Sequence, residues 1–428
     1  MSRNQYYRGV IISLLCLQTY FFDLIPGLNP ALINYNSEFS KKVELILIVM
    51  LFLIFLIPTK RSKTNESFIS GHFTFPVVLL LVGVFCIAVY SSITYQQTFI
   101  ESLSNGYGYI IPIAYIAMIP FFKLTSNVQW LYKWTTRFGF IYVSIQLIQW
   151  IVFKMNGIIF LSYTTFAKIS IDNSSRFFEG AEFLTFVALF IAIKPFLLKK
   201  QWSFLDLFIY VEVVLFHLFM SQGRMYLVIV LSVMSAALGF LVYKKIGKWT
   251  FLLFSPLILF ILMLAGGEVF ERLNFFSGDR VNSFIARTYS VQYFFNHIFY
   301  NGWFGIGFPN PSEYDWLLRG MRGIDPGGGM MTAADVGALG SSAILGAVGI
   351  AFFSLVTLIF VIAVFKANSQ ISILIIFLFF LVSCLTLSPL DIGRAWPMTL
   401  YLSLADAAWN LNFRGGKQNE NSGTSVGL

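Results

Sequence analysis

The sequence predicts an all-α polytopic membrane protein of about twelve transmembrane helices, with one large extracytoplasmic loop late in the chain. Three observations carry this. Hydrophobic residues make up 57% of the 428 residues, charged residues only 11%, and mean hydropathy is +0.75, whereas soluble domains carry roughly 25% charged residues. The apolar residues fall into repeated runs close to the roughly 20 residues that a helix needs to cross a bilayer. Between two such runs lies 266–335, the longest stretch without one.

The expected spans are 9–26, 43–57, 75–94, 107–122, 138–153, 183–198, 205–220, 225–243, 249–265, 342–365, 371–388 and 395–411. The first follows Arg3 and Arg8 and has no small-residue cleavage site after it, so it reads as a retained span and not a signal peptide. The last contains Pro397 and Asp406, which would also allow a re-entrant or half-length crossing. The whole chain, 1–428, reads as a single integral membrane domain, and the polar, Gly- and Ser-rich tail 412–428 reads as disordered and cytoplasmic.

Charge orients these spans. With the N-terminus in the cytoplasm, 17 of the 29 cationic residues fall inside and 12 outside; 12 of the inner ones are lysine and eight of the outer ones arginine. Short lysine-rich inner loops account for the net charge of +9 through the positive-inside rule. Nucleic acid is thereby excluded as the reason for that charge, and both termini are expected in the cytoplasm. Two outer loops are substantial, 154–182 and 266–335, and a short third holds Arg224 at the mouth of a span.

The outer arginines need a further explanation. The late loop carries Arg272, Arg280, Arg287, Arg319 and Arg322 and not one lysine. Arginine's planar fork binds phosphate and carboxylate bidentately, whereas lysine offers a point charge. A charge at mid-membrane costs roughly 2.5–3.5 kcal/mol, so Arg176 and Arg224, beside span ends, either snorkel to headgroups or line a polar cavity. Arg176, Arg224, Arg280 and Arg287 come from three loops on one side and together could neutralise a diphosphate. Arg280 and Arg287 are seven residues apart, on one face of a helix whose other face holds Val281, Phe284, Ile285, Thr288, Val291 and Phe295. Such a helix lies in the membrane interface with its arginines towards a site.

Other residue classes say less. Gly302, Gly305 and Gly307, and later 327–329, make neither a dinucleotide fingerprint nor a phosphate loop, and read as turns that let backbone pack closely. Cys16, Cys86 and Cys384 sit in apolar runs without metal spacing and read as small core residues. His72, His217 and His297 show no metal spacing either; no metal, nucleotide or other cofactor is implied. Asp23, Glu44, Asp206, Glu212 and Asp406 are possible intramembrane acids. Asp335, at the entrance to a span in TAADVGALGSS, is placed either to accept a proton from a bound hydroxyl or to cap a helix.

Three segments together resemble a known family. SQGRMYLVIVLSV is similar to the stretch that opens a span in the O-antigen polymerase and ligase families of bacterial envelopes. ARTYSVQYFFNHIFYNGWFGIGF is similar to their arginine, helix and terminal G-x-G element, with Arg287 and Gly305 18 residues apart, and SSRFFEGAEFLTF to their earlier periplasmic loop. The resemblance covers roughly 174–365 in order, topology and a few residues. It implies a GT-C-like glycosyltransferase of the bacterial inner membrane with a periplasmic active site, surrounded by membrane lipid. Its substrate would be an undecaprenyl-diphosphate-linked oligosaccharide, with a chain-length regulator as a candidate partner. By position, Arg176, Arg224 and Arg287 take the family's functional arginines, and Arg280 is an addition. The ligase branch has histidine then asparagine where this chain has Asp335 and Val336, which favours a polymerase.

The chemistry agrees with the residues. Breaking a sugar–diphosphate bond leaves a dianion, so fixed cations that meet the developing charge lower the barrier. Asp335 is the expected acceptor for the attacking hydroxyl's proton. Tyr289, Tyr293, Trp303, Tyr314 and Trp316 are placed to stack on sugar faces or to anchor the loop in the interface, and Glu179 is a further substrate-binding candidate. The alternatives are an O-antigen ligase and a twelve-span lipid-oligosaccharide flippase or transporter. The second finds little support in the sequence, which has no two matching halves.

Overall fold

The computed structural model describes residues 3–19, 38–56, 71–158, 180–246, 280–320 and 332–411. All regular structure among them is helical. In chain order the helices are α1 (Arg3–Gln18), α2 (Glu38–Leu56), α3 (Thr74–Thr94), α4 (Phe99–Asn105), α5 (Ala114–Phe122), α6 (Thr125–Asn156), α7 (Ala181–Leu197), α8 (Phe204–Leu215), α9 (Arg224–Ile246), α10 (Arg280–His297), α11 (Asp315–Arg319), α12 (Gly337–Leu345), α13 (Ala347–Lys366), α14 (Gln370–Thr386) and α15 (Ala395–Asn410). Short 3-10 turns precede α5 (Tyr107–Ile113) and α12 (Ala333–Val336), and a π turn (Phe216–Met220) extends α8.

This is a helical membrane protein. Thr74–Thr94, Thr125–Asn156, Arg224–Lys244 and Ala347–Lys366 are each long and apolar enough to cross a bilayer, and Phe99–Asn105 with Tyr107–Phe122, bent by 69°, forms a fifth candidate. The expected span 249–265, most of the loop 154–182, residues 266–279 and 321–331 of the late loop, and the tail 412–428 lie outside the described residues.

The bundle is built around α7. Apart from Glu182, Thr185 and Lys194 its residues are apolar on every side, and all from 183 to 194 are buried, as expected of a helix with no continuous polar face. Helices α6, α8, α9, α14 and α15 surround it. α15, expected as a weak span, is almost wholly buried. Its Pro397 lies in the first turn, where the missing N–H costs no helical hydrogen bond. The cysteines differ from expectation: Cys86 is exposed on the outward side of α3 and the other two are only partly covered.

Buried acids hold the bundle together and are themselves satisfied. Asp206 accepts hydrogen bonds from Lys194, Tyr132 and the Ser203 hydroxyl and N–H, closing a capping box at the start of α8. Asp406 accepts from Tyr115 and, at 3.0 Å, from the His72 N–H. Ser144 donates to Glu212 at 3.2 Å and Gln18 to Glu44 at 3.4 Å. A buried carboxylate is tolerable only when paired in this way; of the acids read as intramembrane, Asp23 lies outside the described residues.

The expected continuous span 342–365 is broken. Gly346, at φ 59° and ψ −137°, separates α12 from α13. The break frees the carbonyls of Ala343 and Ile344, and the G-x-G segment meets them: Ile306 N–H donates to Ala343 at 2.8 Å and Gly307 N–H to Ile344 at 2.9 Å. Away from water such carbonyls must be paired from within the protein. The segment is pinned from its other side as well. Tyr95 donates to the Ile306 carbonyl at 2.6 Å, Gln97 to that of Phe308 at 2.6 Å, and the Phe308 N–H donates to Ser91 at 2.9 Å.

Gly305 has φ 62°, and a Cβ there would fall 2.6 Å from the Gly346 nitrogen. Gly302 has φ 65° with open space around it. Gly302→Ala should therefore cost about 1 kcal/mol, the backbone term alone. Gly305→Ala should cost about 3 kcal/mol or more, since backbone strain and overpacking add. Denaturant unfolding of the two purified variants in detergent checks the ranking.

Candidate functional site

At one end of the bundle the starts of α7, α9 and α15 converge with the 3-10 turn before α12. The sequence SQGR shapes the entry to α9. The Ser221 hydroxyl accepts from the Gly223 N–H at 3.1 Å and pairs with His217 Nδ1 at 3.2 Å. Gln222 takes φ 47°. The tight reversal after the π turn places Arg224 at the first position of α9 and Tyr226 facing the start of α7. π turns of this kind recur at functional sites.

Arg394, at the start of α15, ties these elements together. Its Nε donates to the Tyr226 hydroxyl at 3.2 Å and its Nη1 to the Ala334 carbonyl at 3.1 Å. Tyr226 in turn donates to Glu182 Oε1 at 2.6 Å. Two carboxylates flank the guanidinium, Glu182 at 3.7 Å and Asp391 at 3.8 Å, and its side chain is only 15% exposed. Burial works against the cation, but Tyr226, Asp391 and Glu182 outweigh it and hold Arg394 above the ordinary guanidinium range. The Ala334 carbonyl also accepts from the Ser388 N–H at 3.1 Å, so the 387–394 loop is fixed at both ends.

Two clefts share this wall. One, about 30 Å³, is mostly apolar and runs between α7, α9, α14 and α15 past Ile229, Phe379 and Tyr401 to a polar head of Glu182, Tyr226 and Arg394. The Tyr401 hydroxyl in its wall is buried without a hydrogen-bond partner among the described residues. The other, about 190 Å³, opens between Asn105, Tyr109, Phe308, Ser341, Ser388 and Asp391.

The expected site residues fall as follows. Arg224 stands two residues before Tyr226, at the mouth of the convergence. α10 packs on α12 and the 3-10 turn, and its covered face runs through Arg287, Ser290 and Phe294 while Val291 and Phe295 face outward. Arg287 is half-buried and has no ion-pair or hydrogen-bond partner among the described residues. Asp335 lies inside the 3-10 turn and not at a helix N-cap. It is exposed, and its Oδ2 accepts from the Thr332 hydroxyl at 2.7 Å. Tyr293 donates to the Leu317 carbonyl at 2.9 Å and stacks on His297, tying α10 to α11. Tyr289 and Trp303 are exposed, Trp303 by 75%. Arg176 and Glu179 lie outside the described residues, as does the side chain of Arg280, whose backbone opens α10.

Sequence reasoning missed Arg394 as a site residue and counted it only as an outer charge. The available signal was its place: like Arg224 it stands at a span entrance, with Asp391 three residues before it. No protein-family model matches this chain, and no curated protein does.

Arg394→Met should destabilise the protein by about 3–5 kcal/mol, because Glu182 loses its buried counter-charge. Tyr226→Phe should cost about 2 kcal/mol, because its hydroxyl both donates to Glu182 and accepts from Arg394. Adding Glu182→Gln to Arg394→Met should recover part of the loss. Unfolding midpoints of the three variants check the order.

Proposed function

We propose that the protein is an O-antigen or exopolysaccharide polymerase of the bacterial inner membrane, acting on its periplasmic side. It transfers a growing glycan from undecaprenyl diphosphate to the next lipid-linked repeat unit. The observation that carries this reading is the gathering of helix ends at one end of the bundle: Arg224 opens α9, Arg394 opens α15, and α10 lays the face of Arg287 against the elements that line the larger cleft.

In this reading Arg287 and Arg224 meet the diphosphate as the sugar's anomeric bond breaks, joined by Arg176 and Arg280 of the same side. Arg287 is suited to that role because it is half-buried with no ion-pair or hydrogen-bond partner among the described residues, so none of the described carboxylates competes for it. Asp335 or another carboxylate of the convergence takes the acceptor's proton. Tyr289 and Trp303, exposed on the late loop, offer ring faces to the glycan.

The test is the purified protein in detergent with a lipid-linked repeat unit from its own gene neighbourhood, products being resolved by length. A ladder of regular steps is expected, and Arg287→Ala should lower the rate about 100- to 1,000-fold without changing expression. An unchanged ladder in that variant would sink the assignment, and transfer to added lipid A core instead of a ladder would indicate the ligase.

One observation favours a transporter. A helix broken at Gly346, two residues after Ile344 in the wall of the larger cleft, is a device transporters use near their binding sites. Alternating accessibility of engineered cysteines along α12 and α13, with no glycan product from the matched donor, would establish that reading over the polymerase.

A further inference from the structure

The larger cleft has a chemistry of its own. Among the described residues no lysine or arginine lines it, and Asp391 does. A carboxylate wall repels a diphosphate and attracts hydroxyl donors. Asp391 is 3.8 Å from Arg394 Nη1, beyond hydrogen-bond distance, and its carboxylate accepts no side-chain hydrogen bond among the described residues. Asn105 donates its amide to the Pro309 carbonyl at 3.1 Å, which leaves its oxygen as a second acceptor. Ser341 and Ser388 pair with each other at the back. The rest of the lining is mostly apolar: Tyr109 stacks on Phe308 at 5.7 Å, and Pro309, Pro311, Leu318 and Ile344 complete it.

A sugar ring presents apolar C–H faces and hydroxyl donors around its edge, and so matches stacked rings bordered by fixed acceptors. At about 190 Å³ the cleft is smaller than the roughly 300–1,000 Å³ of drug-sized sites, which suits one ring and not a whole repeat unit. Asp335 is absent from the lining and already accepts the Thr332 hydroxyl. Asp391 is therefore the better-placed acceptor of a proton inside the cleft, and Arg394 compensates its charge.

Resting on the polymerase reading, we propose that this cleft holds the acceptor sugar and that Asp391 is the general base. The acceptor hydroxyl oxygen bonds to the donor's anomeric carbon. The bond from that carbon to the diphosphate oxygen breaks, its electron pair leaves with the diphosphate, and the hydroxyl proton passes to the Asp391 carboxylate, which later releases it to water.

Two measurements separate the subsite from the reaction. The first is saturation-transfer NMR on the detergent-solubilised protein, with the free oligosaccharide released from the matched lipid-linked unit. Wild type should show transfer to one terminal ring, and Pro311→Trp, an exposed turn position whose side chain would fill the cleft, should lose it. No transfer in wild type, or full transfer in Pro311→Trp, overturns the subsite.

The second is the pH profile of polymerisation. Asp391→Asn should lower kcat about 100-fold or more and remove the acid limb of the profile, with donor KM changed less than about threefold, and Asp391→Glu should restore activity in part. A wild-type profile in Asp391→Asn overturns the base. Should wild type bind the oligosaccharide yet build no ladder, the polymerase reading fails while the subsite stands. Should Pro311→Trp build a normal ladder, the subsite fails while the polymerase stands.

Discussion

A backbone carbonyl in an apolar bundle has no water to bond to, and the architecture around the site follows from how that demand is met at one point. The break at Gly346 exposes the carbonyls of Ala343 and Ile344, which would be costly unpaired. The 305–307 segment satisfies them edge-on, and Gly305 is required because its Cβ would meet the Gly346 backbone. That segment can lie there only because Ser91, Tyr95 and Gln97, at the end of α3, satisfy its remaining polar atoms. One helix interruption thus fixes a late-loop element against an early helix and sets Phe308 into the wall of the larger cleft.

Electrostatics settles the neighbouring wall. Arg394 is a single cation placed between Glu182 and Asp391, 212 and three residues away in the chain. Its direct hydrogen bonds go to neutral oxygens, those of Tyr226 and Ala334, while both carboxylates stand off at nearly 4 Å. Such an arrangement keeps the charge compensated and leaves each carboxylate's hydrogen-bonding capacity largely unused. Glu182 heads the apolar slot and Asp391 lines the polar cleft, so one guanidinium serves both spaces.

Much of the fold was legible because hydropathy and charge are local sums. The runs at 75–94, 183–198 and 225–243 correspond to α3, α7 and α9 within a few residues. The helix at 280–297 was legible too, but its faces were less so: residue 291 lies only one turn beyond Arg287, yet Arg287 is half-buried while Val291 and Phe295 are exposed. The break at Gly346 was not legible, because GALGSSAILGAVGI holds four glycines; Gly337 and Gly346 both take positive φ, and only the second divides the run. Arg394 was hidden for a different reason. A charge tally records which side a residue lies on, whereas Arg394 takes its surroundings from Tyr226 and Glu182, 168 and 212 residues away, through packing that no local window contains.

The same contrast explains why arginine stands at these span entrances and lysine does not. An entrance residue beside a polar cleft must reach several acceptors at fixed angles, as Arg394 does with Tyr226 and Ala334 on two different elements. A planar fork fixes the directions between its donors, so one side chain can lock two helix ends in a set relation. At the other end of the bundle Lys194 has one carboxylate to satisfy, Asp206, and a point charge suffices. The two buried cations therefore differ in kind as their geometry does: Lys194 meets one carboxylate, whereas Arg394 holds a convergence of helix ends.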